Sequence, residues 1–342
     1  MTPPTPSAAA PLEVTDDSVE KSITSPANSA NESKSPGQLA WRRFKRDRTG
    51  IAAACIVIFF FVIALCAPLI AKLYGKDPYT TYGLNTPGLL GDNSFPVKPN
   101  GGIDSEFWFG IEPGLGRDLF TFLLYGIRNS LLIATAITLL VVIIGVTLGV
   151  TAGYLGGKTD WLIGRVIDIL LAFPSQLFFV AFTPVVLALF VGADENTPVW
   201  LTVVCLVGLL TVFGWASIAR LLRGQVLALR EREFVEAAKV TGASPARIIF
   251  KELLPNLWTP ILIQATLSVP AMVTTEAGLA FLGVGIQDPT PDWGVMIGQA
   301  AKVYQDDITF LLFPGLSMVI FVLAFNLLGD SVRDALDPKT KR

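Results

Sequence analysis

Six stretches of this 342-residue chain run for more than twenty residues without Asp, Glu, Lys or Arg: Ile51–Ala71, Asn129–Gly157, Ile169–Ala193, Asn196–Ala219, Leu253–Thr275 and Ile308–Gly329. A bilayer core of about 30 Å takes about 20 apolar residues in a helix, so each stretch is long enough to cross. The expected fold is therefore an all-α membrane protein with six transmembrane helices. A seventh apolar run, Ala277–Gln287, is too short and too glycine-rich to cross alone and reads as an outer-face extension or a re-entrant turn. Composition agrees: 52% of the residues are hydrophobic and 16% charged, well to the apolar side of an ordinary soluble domain.

The same composition narrows the chemistry. The chain has no histidine, which removes the commonest general base, the commonest transition-metal ligand and the near-neutral pH switch. Cys55, Cys66 and Cys205 lie inside apolar runs at no zinc or redox spacing and read as small hydrophobes. A net charge of −2 gives no clustered positive excess of the kind nucleic acid requires. The text AGYLGGKT, Ala152–Thr159, imitates a phosphate-binding loop, but Ala152 stands where its first glycine belongs. Such a loop also needs a strand before it, whereas this one follows an apolar helix. No nucleotide or cofactor site is expected on this chain.

Residues 1–40 are rich in Pro, Ser, Thr, Ala and Asn without an apolar core of leader length, and read as a disordered tail that stays attached. Residues 41–342 form the membrane domain. Lys and Arg set its orientation: an N-terminus inside places 20 of the 26 basic residues inside, and six, Lys72, Lys76, Lys98, Arg117, Arg128 and Lys302, outside. Both termini are thus expected in the cytoplasm. Residues 74–127 make a long outer loop with turn chemistry throughout, ending in a helix from Asp118 to Tyr125 that lies at the interface and runs into the second span.

Between the fourth and fifth apolar stretches lies EAAKVTGASPARIIFKELLPN, Glu236–Asn256, with five charged groups, inside a cytoplasmic loop of residues 224–255. It parses as two short helices. The first, Glu231–Thr241, stops at Gly242, suited to the left-handed position after a helix. Ser244 then caps and Pro245 opens a second helix that ends before Pro255. A solvated loop would explain the charges but not the small surface at Ala237 and Ala238 or the rigid Gly242-Ala243-Ser244-Pro245 corner, which suit docking into a partner's groove.

These residues carry a resemblance. EAA, three residues, then Gly242, with Leu254-Pro255 later, resembles the EAA loop of permease subunits of bacterial ABC importers, with Glu252 standing where an isoleucine is usual and Leu253 able to fill the apolar contact. Gly114–Phe120, Leu124-Tyr125-Gly126, Asp168–Pro174, Phe281-Leu282-Gly283, Pro291-Asp292-Trp293-Gly294 and Asn326–Asp330 further resemble the second, C-type permease of dipeptide, oligopeptide and nickel importers. The likeness runs from about residue 41 to the C-terminus. It implies the type I importer permease architecture in a bacterial plasma membrane. It also implies a second homologous permease, two ATP-binding subunits that perform the hydrolysis, and an extracytoplasmic substrate-binding protein as partners.

On that footing the chain is a non-enzymatic half of a peptide path, with Glu236, Ala237, Ala238, Gly242, Ala243, Ser244, Pro245, Leu254 and Pro255 coupling it to the ATPase. The alternatives are an importer of nickel or another small solute, and an ATP-independent secondary carrier. The second would call for inverted repeats and broken mid-membrane helices, neither of which the sequence announces. Glu276, at the outer end of the fifth stretch, is the one candidate for the substrate path, with an interfacial carboxylate as the other reading. Arg165 and Asp168 are expected to pair or anchor at the start of the third span.

Overall fold

The computed structural model describes residues 36–191 and 197–336. Among them, helices and three isolated β-bridges are the only regular structure. The expected tail lies outside the described residues up to position 35, and residues 36–40 belong instead to a helix, α1 (Pro36–Phe44). Asp47 then caps α2 (Arg48–Tyr74), its carboxylate accepting from the Thr49 N–H at 3.1 Å, and Gly75 ends it at φ 77°. Asp118 caps α3 (Leu119–Leu155) by accepting from the Thr121 N–H at 2.7 Å. The interface helix expected over Asp118–Tyr125 is thus the first part of α3, and its Phe122 is buried in the core rather than placed among headgroups. The outer segment shortens to residues between Gly75 and Asp118.

Four more long elements follow: α4 (Gly157–Ala172) with α5 (Ser175–Ala188), α6 (Val199–Leu229), α8 (Pro245–Phe281) and α10 (Thr309–Leu336), with α7 (Glu233–Val240) and α9 (Trp293–Ala300) as short connectors. Five helices are long and apolar enough to cross a membrane, and α4 with α5 makes a sixth candidate that bends by 89°. The uninterrupted third span expected over Ile169–Ala193 is therefore broken. The cause is Pro174: it disfavours helical backbone in the residue before it, and Phe173 is extended at φ −80° and ψ 137°.

Packing shows that the bent pair has to cross. A side chain added at Gly145 would meet Ile218, at Gly149 Ala219, and at Gly153 Val226, so α3 and α6 run parallel in matched register. A chain that leaves the end of α3 and enters the start of a parallel α6 must return through the same thickness, and among the described residues α4 and α5 are the helices between. Small residues let the two backbones approach: a Cβ on Gly149 would stand 2.6 Å from the Ala219 carbonyl oxygen.

The remaining contacts sort the ends of the helices onto two faces. Gly50, at the start of α2, abuts Ser331 near the end of α10, so the two ends of the described chain share a face. Arg230, closing α6, donates to the Gly153 carbonyl at 3.2 Å, which brings α7 and the start of α8 to that face too. The opposite face carries the outer segment. There the Tyr74 hydroxyl donates to the Glu106 carbonyl at 2.8 Å and accepts from the Trp108 N–H at 3.0 Å. Arg117, 1% exposed, donates to both carboxylate oxygens of Glu112, at 2.5 and 2.7 Å, and to Asp288 at 2.5 Å. Burial, outweighing the pull of Arg117, pushes the Glu112 carboxyl above its ordinary value.

Candidate functional site

The element from Glu233 to Pro255 is built as the sequence suggests at its corner and differently beyond it. Helix α7 ends with the Gly242 N–H on the Lys239 carbonyl at 2.9 Å and the Ala243 N–H on the Ala238 carbonyl at 3.0 Å, and Gly242 stands at φ 79°. That pair of bonds closes the helix only if the residue between them is left-handed, which glycine adopts without penalty. Ser244 then caps α8, accepting from the Arg247 N–H at 3.3 Å, with Pro245 in its first turn.

The second helix does not stop before Pro255. Residues Ile248–Leu253 widen into a π-helical turn, the Leu254 N–H donates to the Ile249 carbonyl, and α8 continues to Phe281. Pro255 has no N–H and its ring would collide with the carbonyl four residues back in a regular helix; the wider turn just before it carries the helix past both difficulties.

Val235, Ile248, Leu253 and Leu257 are buried and fasten the element to the membrane helices, with Leu253 filling the apolar place noted beside Glu252. Ala238, Ala243 and Leu254 pack half-buried against the same core, so of the small pair only Ala237 is free. Glu236 and Pro255 are exposed, and the Glu236 carboxylate pairs with Lys239 at 2.7 Å. What faces outward is more apolar than expected: Val240 is 86%, Phe250 69% and Phe234 37% exposed. Two braces stiffen the connection to the membrane helices, Arg230 on Gly153 and Arg223 on Asp160, the second with Nη2 to Oδ2 at 2.8 Å. Pairing with Arg223 holds the Asp160 region to α6, and Asp168 pairs with Arg220 at 2.5 Å instead of with Arg165.

Between the helices, α3, α4, α5, α6 and α8 line a half-open cavity of about 410 Å³ beside the break at Phe173-Pro174. Glu276 is not on its wall. Its neighbour Thr275 is, whereas Glu276 is fully buried on the other side of α8, near Asp292 and Ser130. Asp292 caps α9 through the Gly294 N–H at 2.8 Å and accepts from the Ser130 hydroxyl at 2.5 Å, while a Cβ on Gly294 would stand 2.2 Å from the Ala277 carbonyl. The quartet Pro291–Gly294 is thus a knot that ties α9 to α3 and α8, and Glu276 is buried beside it with neither carboxylate oxygen hydrogen-bonded among the described residues.

Residues 145–342, more than half of the chain, match the family described as the inner membrane component of binding-protein-dependent transport systems. The chain belongs to that family. Residues 35–90 of this transport component also match the N-terminal transmembrane domain of oligopeptide transport permease C. The dipeptide transport system permease protein of Alkalihalophilus pseudofirmus is 37% identical over 90% of this chain and 91% of its own length. The oligopeptide transport permease of Bacillus subtilis is 34% identical over 89% and 90%. The glutathione transport permease of Escherichia coli O157:H7 is 36% identical over 90% and 92%.

A solved structure of the methionine ABC transporter MetNI, in an inward-facing conformation, matches with a TM-score of 0.50 at 21% identity, covering 63% of this chain and 96% of that one. The shared fold is that of a type I ABC importer permease. The broken span means that the absence of broken helices cannot separate this component from a secondary carrier; membership of the family does.

The polar residues of the cavity wall lie outside the motifs that the sequence displays. Gln264, Ser268, Ala271 and Thr275 recur at helical spacing on one side of α8, a polar stripe in an apolar helix that periodicity could have exposed. Arg117 stands in the sequence as one positive charge on the outer side and as part of the Gly114–Phe120 match, and nothing local marks a partner as distant as Asp288.

Proposed function

We propose that this chain is the C-type permease of an ATP-driven importer of short peptides. It forms half of a translocation path with a second, homologous permease, and a substrate-binding protein delivers peptide to the face carrying the outer segment. Both termini and the Glu233–Pro255 element face the cytoplasm, where two ATP-binding subunits take up Val240, Phe250 and the free Ala237 surface. This chain hydrolyses nothing itself. ATP closes the partner subunits, the docked element moves, and the braces at Arg223 and Arg230 pass the movement to α3 and α6.

The observation that carries the substrate class is that relatives named for dipeptides, oligopeptides and glutathione align with this chain along about nine-tenths of its length. Their common chemistry is a peptide main chain. The test is co-expression with the proposed partner permease and ATP-binding subunits, purification, and reconstitution into proteoliposomes with loaded binding protein. ATP-dependent accumulation of a radiolabelled dipeptide, absent without ATP or without the binding protein, is the expected result. A complex that forms but moves no peptide of two to five residues would overturn the peptide assignment.

A further inference from the structure

The cavity beside the broken span combines three features that do not depend on one another. Its wall contains no charged side chain, yet it presents Ser175, Ser217, Gln264, Ser268 and Thr275 among apolar residues. Ser268 and Thr275 turn their hydroxyls back onto their own helix, donating to the Gln264 and Ala271 carbonyls. The side chains of Ser175, Ser217 and Gln264, by contrast, have no hydrogen-bond partner among the described residues, although Gln264 lies at the midpoint of the apolar stretch Leu253–Thr275. In lipid an unsatisfied polar group costs several kcal/mol, and irregular backbone is tolerated only where it lines a cavity or is buried in protein.

The second feature is the break itself. Phe173 and Ser175 both line the cavity, so the interrupted backbone opens onto it. The first N–H groups of α5 lack intrahelical partners, and Pro174 supplies no side-chain cap. The third is depth: α8 presents this wall from Gln264 to Thr275, about 16 Å of helix at 1.5 Å per residue.

From this arrangement we propose that the cavity is this permease's half of a peptide site that reads main-chain amides and not side-chain charge, with the Gln264 carboxamide and the Ser217 hydroxyl as its principal contacts. An amide offers a donor and an acceptor together, as a peptide bond does. Free backbone N–H groups at the start of α5 complement peptide carbonyls. A wall without charge neither traps nor rejects a cargo by its side chains, which suits a carrier whose selection is made before the peptide arrives. The inference rests on the peptide-importer reading and adds to it the residues and the mode of recognition.

The assembled importer in proteoliposomes, with loaded binding protein, tests it with neutral, cationic and anionic dipeptides. Gln264→Leu with Ser217→Ala should lower uptake per ATP hydrolysed on the order of tenfold for all three, the equivalent of one or two lost hydrogen bonds. Stimulation of the ATPase by loaded binding protein should persist. Gln264→Glu should create a charge preference, sparing the cationic dipeptide and lowering the anionic one. Uptake of all three peptides unchanged in both variants would remove the cavity from the path. Dissociation of the two permeases in these variants would make this wall their seam and equally overturn the proposal. If the unaltered complex imports no peptide, it is the functional reading that fails; if it imports and the variants do so equally, only the site does.

Discussion

Gly242 is a residue whose role can be separated from its surroundings. It stands at φ 79°, and a Cβ built there would meet nothing within 4 Å. Replacement therefore costs backbone energy alone, roughly 1–2 kcal/mol for an L-residue in the left-handed region and more with β-branching. Gly242→Val should insert and pair normally but lose the fixed angle between α7 and α8, seen as ATPase subunits lost on purification or as activity no longer stimulated by loaded binding protein. Gly242→Asn, which tolerates that region better, should keep most of the coupling; equal coupling in Val, Asn and wild type would reduce the corner to a spacer. The corner was legible because each of its determinants lies within a few residues of the next. Glu276 was not. It is fully buried near Asp292 and Ser130, which sequence places in separate elements, so a carboxylate beside an apolar run read equally as a group on the path and as an interfacial anchor.

Elements repeat the lesson at longer range. Hydrophobic run lengths located the five long apolar helices and the bent pair that makes a sixth candidate, since the bilayer imposes a minimum that periodicity need not resolve. They could not show the 89° bend between α4 and α5, because breaking a helix at depth is tolerated only if neighbours line a cavity there, and the neighbours are distant in sequence. The close crossing of α3 and α6 was equally hidden in text: Gly145, Gly149 and Gly153 recur every four residues, but their partner is α6 rather than a second copy of the same helix. A matched pair of substitutions isolates that crossing. Gly149→Ala places a methyl 2.6 Å from the Ala219 carbonyl oxygen, whereas a methyl on Gly208, in α6, meets nothing within 4 Å. Overpacking costs typically about 1–3 kcal/mol, while glycine to alanine in an open helical position gains about 1 kcal/mol. Thermal unfolding in detergent should therefore fall for Gly149→Ala and hold or rise for Gly208→Ala, and indistinguishable curves would show that α3 and α6 do not meet closely in the protein.

For the whole molecule, the packing and the charge distribution give independent halves of one statement. Packing places the start of α2, the end of α10, and the Glu233–Pro255 element on one face, with the outer segment on the other; it does not say which face meets the cytoplasm. The proposed orientation rests on Lys and Arg, because cytoplasmic loops retain positive charge and the Arg42–Arg48 cluster sits directly before α2, where the bias acts most strongly. Cysteine labelling joins the halves. In a chain whose Cys55, Cys66 and Cys205 are replaced by alanine or serine, Asn100→Cys should react with a membrane-impermeant maleimide added to intact cells, and Ala246→Cys only after permeabilisation. Asn100 lies in the outer segment and Ala246 is exposed in the first turn of α8, so neither result should be limited by burial within this chain. Labelling of both from the outside would contradict the packing as well as the charge rule, since it would put the two faces on one side of the membrane. The reversed pattern, Ala246→Cys outside and Asn100→Cys inside, would leave the fold intact and invert it, and would overturn the proposal that the Glu233–Pro255 element meets ATP-binding subunits in the cytoplasm.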